Sequence, residues 1–226
     1  TGIAQQVNSA IYNFVSNFQT AFNPQLIQTY SSGNLEVHRV LLSRASRISY
    51  YLLYIISLPV LINTSYILHL WLKEVPDHSV TFTQLIITFS LIEALGAPLW
   101  MSMQATGKIK TYQIIVSSIN ALNIPIAFVC LYQGLAVESI FYAKILIGLF
   151  MYIFRVLYIL PLINFSYMDY FKKVVYPTVA ITLFTICILL IVSTYLDGGE
   201  KLLITTPLSI ILCCLLYTSP SPRDTR

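Results

Sequence analysis

Apolar residues run through this chain in blocks of 20 to 25, over 48–72, 80–104, 112–133, 139–163 and 177–196, and a further run opens at 202. At about 1.5 Å per residue, such a block crosses a hydrocarbon core of about 30 Å. The first stretch, 1–31, is equally long and carries no charge, yet it is rich in side-chain amides. On a helix of about 3.6 residues per turn, Gln5, Asn8, Tyr12, Ser16, Gln19 and Asn23 recur along one stripe. Gln6, Asn13 and Asn17 widen it, and Ile3, Val7, Ile11, Phe14, Val15, Phe18 and Phe22 supply the apolar remainder. An amide turned toward lipid leaves its donors and acceptors unsatisfied, so this stripe is expected to face other helices or a water-filled cavity. The pattern predicts an all-α, polytopic transmembrane bundle of six spans, with a seventh cut short within 202–213.

The connections are short and polar: 34–47, 73–79, 105–111, 134–138 and 197–201. Residues 164–176 alternate aromatic and charged side chains and read as an interfacial amphipathic helix. Arg39, Arg44, Arg47, Lys108, Lys110, Lys172 and Lys173 fall in one set of alternate connections, against Lys73 and Lys201 in the other. By the positive-inside rule the basic set is cytoplasmic, and the first helix then runs from outside to inside. Such a helix is even-numbered in a chain that starts in the cytoplasm, so an odd number of spans is expected upstream. Thr1 is no initiator Met, no signal peptide is visible, and the chain is expected to begin mid-protein. The string CLLYTSPSPRD, 214–224, resembles the translation of a transposon adapter used in sequencing libraries. Residues 214–226 are therefore expected to be foreign, the alternative being a Pro/Ser-rich tail.

Composition agrees with a membrane protein: 57% hydrophobic, 10% charged, mean hydropathy +0.74. A soluble domain carries about 25% charged residues. The net charge of +4 is spread over connections and leaves no nucleic-acid footprint. Cys130, Cys187, Cys213 and Cys214 lie in apolar runs without metal-ligand spacing, and His38, His69 and His78 are scattered, so no metal or other cofactor is expected. There is no nucleophile elbow, phosphate-binding glycine loop or His/Glu metal pattern, which disfavours an enzyme.

Three charges lie inside spans, where an ionisable group is costly and points to function. Glu93 is the most central and is the candidate for ion coupling. Arg155 lies at a similar depth in a span of the same direction, could pair with Glu93, and suits an anionic phosphate. Lys144 stands near the outer end of its span and is expected to snorkel. Pro24, Pro59, Pro98, Pro125 and Pro207 interrupt spans, as in helices that line cavities. The candidate substrate-cavity residues are thus Gln5, Asn8, Tyr12, Asn13, Asn17, Gln19, Asn23 and Arg155.

The opening GIAQQVNSAIYNFVSNFQTAFNPQLIQTY, 2–30, resembles the second half of bacterial Wzx-type polysaccharide flippases of the MATE-like superfamily. The runs LPVL (58–61), WLKEVP (71–76), APLW (97–100) and QATGKIK (104–110) extend the resemblance, which reaches about residue 212. It implies one lobe of a two-lobed transporter that moves an undecaprenyl-pyrophosphate-linked oligosaccharide across the bacterial inner membrane by alternating access. The partners implied are that lipid-linked oligosaccharide, membrane lipids, a missing N-terminal lobe of the same chain and a polysaccharide polymerase. The alternative is a cation-coupled multidrug exporter in which Glu93 is decisive.

Overall fold

A computed structural model describes residues 2–72, 74–194, 200 and 203–211. Among them the chain is all helix: α1 (Gly2–Ser31), α2 (Leu35–Ile62), α3 (Thr64–Trp71), α4 (Ser79–Thr106), α5 (Ile109–Ala121), α6 (Asn123–Tyr132), α7 (Glu138–Leu162), α8 (Tyr167–Tyr170), a π turn (Phe171–Val175) and α9 (Tyr176–Ser193). Five stretches are long and apolar enough to cross a membrane: Leu35–Ile62, Ser79–Thr106, Ile109–Tyr132, Glu138–Leu162 and Tyr167–Val192. The protein is an all-α, polytopic membrane bundle.

The expected spans differ from these in four ways. α1 has 30 residues, ample for a crossing at about 1.5 Å each, but its amides keep it out of the apolar set. The connection expected at 34–47 is instead the start of α2. Gly33 turns the chain at φ 75°, Asn34 Oδ1 accepts from the Val37 N–H at 3.2 Å, and Glu36 favours the first turn, so the helix nucleates here. The block 48–72 is not one helix, because it breaks at Asn63, whose backbone and side-chain N–H groups both donate to Pro59 O at 3.0 Å. The segment 164–176 is no separate interfacial helix, since α8 and the π turn run on into α9. Pro177 cannot donate to the preceding turn, and that turn widens. The final run is described only over 203–211, and the adapter-like 214–226 lies outside the described residues.

α4 is the hub, packed against α1, α2 and α7, with most of its length buried. Its contacts with α7 climb in parallel: His78 pairs with Glu138, Phe82 stacks near Phe141 at 4.8 Å, and Glu93 meets Arg155. α2 runs the other way, with Gln84 Nε2 donating to Leu61 O at 3.1 Å at one end and His38 meeting Ser102 at the other. α9 joins the far side of α2 through hydroxyls, Tyr50 to Thr182 at 2.8 Å and Tyr54 to Thr185 at 2.6 Å. Such bonds substitute for a hydrophobic drive between helices that lipid does not supply. The outer helices show lipid-facing side chains such as Phe128, Leu146, Phe150 and Leu183.

His38 clasps the basic end and is fully buried. Leu26 O can only accept, so Nδ1 carries the proton toward it at 3.1 Å, and Nε2 accepts from Ser102 Oγ at 2.7 Å. One ring thereby ties α1, α2 and α4 together. His38→Phe keeps a ring but removes both bonds and leaves Ser102 Oγ in the core without its imidazole acceptor, so it is expected to cost about 2 kcal/mol or more. The check is the thermal midpoint of the detergent-purified protein, with the exposed Val37→Ala as control; equal midpoints for wild type and His38→Phe would remove the clasp from the account.

Candidate functional site

The site is built on one broken turn of α4. Pro98 has no N–H to give Ala94 O, and its ring crowds that carbonyl. In lipid an orphaned carbonyl must find another donor. Gln19 of α1 supplies it, Nε2 donating to Ala94 O at 3.4 Å. The same device recurs on α7, where Pro161 orphans Leu157 O and the Tyr167 hydroxyl donates to it at 3.2 Å.

On the other side of the turn Gly96 makes room for a cation. A Cβ there would stand 2.9 Å from Arg155 Nη1 and 3.4 Å from Tyr152 Cδ2. The guanidinium lies against the α4 backbone and reaches Glu93, with Nη1 and Nη2 donating to the same Oε2 at 3.3 and 3.4 Å. This pair is long and uses one carboxylate oxygen, not the short fork of a tight Arg–carboxylate contact. The Arg155 side chain is 11% exposed and its Nε–H is buried without a hydrogen-bond partner among the described residues, while Glu93 is 28% exposed. Both groups therefore keep bonding capacity.

Above the pair, toward the end opposite the basic one, opens a cavity of about 260 Å³ between α1, α4 and α7. Gln5, Asn8 and Tyr12 line one wall, Phe89, Ser90 and Glu93 a second, and Lys144 the third. Ser90 Oγ donates to Asn8 Oδ1 at 2.7 Å, which fixes the amide. Lys144 does not simply snorkel outward: its Nζ lies 4.6 Å from the centre of the Phe89 ring. That ring sits over Gly148, where a Cβ would come within 2.8 Å of it. Gly96 and Gly148 thus form reciprocal notches that let α4 and α7 bring a carboxylate and two cations together.

No family profile, no curated protein and no solved structure matches this chain.

The structure divides the amide stripe in two. Gln5, Asn8 and Tyr12 line the cavity; Gln19, 4% exposed, serves the α4 kink and is packed away from it. Asn23 is half-buried with its Oδ1 unpartnered among the described residues. Asn13 and Asn17 do not join the cavity; with Gln6 and Thr20 they form an exposed face on the other side of α1. Arg155 lies behind Glu93 instead of in the cavity wall. Sequence reasoning missed Ser90 and Phe89. Ser90 was legible one turn before Glu93 on the same face, but nothing local marks Phe89.

Gly96→Ala drives its methyl into Arg155, and because a guanidinium end moves easily the helix survives while the Glu93 pair opens. The expected outcome is a fall in thermal stability of about 1 kcal/mol, matched by Arg155→Met. A double-mutant cycle would show the two changes strongly non-additive. Additive losses would mean that Gly96 does not seat the guanidinium.

Proposed function

We propose that this chain is part of a transporter that carries a lipid-linked oligosaccharide across the bacterial inner membrane, its first helix forming one wall of the path. One observation carries the reading: α1 is a helix of membrane-crossing length whose amides fall on two faces, one lining a charged cavity and one uncovered. Lipid cannot cover Gln6, Asn13 and Asn17 at acceptable cost, whereas a hydrated path with a second lobe opposite would. Amides and a phenol exchange readily with sugar hydroxyls. The under-bonded Arg155 is suited to a pyrophosphate, which reaches it by taking over from Glu93. The motifs shared with Wzx-type flippases support the same reading, with the chain as one lobe of a MATE-like pair.

A second reading, a cation-coupled drug exporter, is favoured by the partly exposed Glu93 carboxylate in the cavity. The test uses the full-length gene in a host lacking its own flippase. Replacing Asn13 and Asn17 together by Leu is expected to reduce surface glycan about ten-fold, two hydrogen bonds' worth at about 1 kcal/mol or less each, with lipid-linked intermediate accumulating inside. Glycan unaffected by these changes, combined with drug efflux abolished by Glu93→Gln, would transfer the protein to the exporters.

A further inference from the structure

At the basic end of the bundle a second cleft, of about 290 Å³, opens between the last turns of α1 and the first turns of α2. Gln25, Gln28 and Thr29 form one wall, and Val37, Val40 and Arg44 form the other. The α1 wall is held in place, since the Thr29 hydroxyl donates to Gln25 O at 2.9 Å and its oxygen lies 3.1 Å from Nδ1 of the buried His38. The α2 wall is a single stripe, because residues three and seven apart share a face. Val37 and Val40 are 47% and 40% exposed on it.

The three arginines of this part of α2 are used differently. Arg39 donates its Nε–H to Ile163 O at 3.0 Å and so closes the end of α7 against α2. Arg47 is engaged elsewhere. Arg44 is exposed, lines the cleft, and has no hydrogen bond or ion pair to any described residue. Among the described residues no Asp or Glu lines the cleft beside it. A guanidinium facing two side-chain amides, with no acid present, is a donor set for a phosphodiester.

Depth and apolarity decide the source of that phosphate. Within the stretch Leu35–Ile62, Ile48 opens the run free of charged side chains, so Arg44 stands about 6 Å, one turn, before it, a depth that suits the headgroup layer. Positive-inside topology makes this the cytoplasmic leaflet, whose anionic lipids attract basic pockets between helices. A free anion would have no use for exposed valines, whereas the glycerol and first methylenes of a lipid cover them.

We propose that the cleft between α1 and α2 is a binding site for an anionic phospholipid of the cytoplasmic leaflet, its phosphate held by Arg44 with Gln25 and Gln28 and its glycerol region lying on Val37 and Val40. The assignment depends on membrane topology and not on what the protein transports. The experiment takes delipidated full-length protein in neutral detergent, adds dioleoylphosphatidylglycerol or dioleoylphosphatidylcholine, and quantifies co-eluting lipid by mass spectrometry. Phosphatidylglycerol is expected to be retained in preference to phosphatidylcholine. Arg44→Gln is expected to lower retention about five-fold, Gln28→Leu to lower it less, and Arg44→Lys to preserve most of it. Lys173→Gln, which removes a surface cation of the same end, is expected to leave it unchanged. Because Arg44 is exposed, an unaltered elution volume and thermal midpoint would show that its variants are folded. Equal retention of the two lipids, equal loss with Lys173→Gln, or displacement of bound lipid by inorganic phosphate would each overturn the proposal.

Discussion

A carbonyl without a donor cannot persist in lipid, and the structure around α4 is arranged to meet that condition. Pro98 takes away the hydrogen bond that Ala94 O would otherwise receive, and Gln19 restores it from α1. Together with the Ser90–Asn8 bond it sets where α1 sits along α4, and so which of its amides look into the cavity. It also explains why a central helix tolerates a proline: the broken turn is completed from outside. Where Pro161 breaks α7, Tyr167 performs the same service and draws α8 back onto the helix it follows.

The broken turn also seats the charges. A side chain at position 96 would push the Arg155 guanidinium off the α4 backbone and open its pair with Glu93, at a cost of about 1 kcal/mol. Gly96 removes the obstacle and Gly148 does the reverse for Phe89, so the α4–α7 interface is close enough for a carboxylate and a cation to meet within it. The pair that results is loose and incompletely bonded. A short bidentate pair would be a structural rivet, whereas one carboxylate oxygen shared at 3.3 and 3.4 Å leaves both partners able to change ligands.

Many polar groups elsewhere spend their bonding capacity inside the bundle. His38 gives one proton to Leu26 O and takes one from Ser102, Tyr50 and Tyr54 spend their hydroxyls on Thr182 and Thr185, and Asn63 gives its side-chain N–H groups to Pro59 O and Thr205 Oγ1. Against that background, the exposed amides of α1, the loosely bonded Glu93–Arg155 pair and Arg44, which has no partner among the described residues, stand out as groups with bonding capacity in hand.

The sequence by itself determined the helical class, the membrane setting, five of the crossing segments to within a few turns, and the identity of the charges buried among them. These are local properties: length, apolarity and the cost of a charge in hydrocarbon are set residue by residue, and no neighbour can reverse them. It did not determine helix limits where a cap or a proline competes with composition, so 34–47 joined α2 and 48–72 broke at Asn63. Nor could it say which way a polar residue of α1 turns. Gln19 and Asn17 are both amides, two positions apart, yet one is packed into the hub and the other is exposed on the far side. Lys144, readable as a snorkelling cation, turned inward onto Phe89 because Gly148 left the ring room. Facing is a property of the neighbours an element acquires, and only the tertiary structure supplies them, since burial depends on what packs against a side chain and not on what the side chain is.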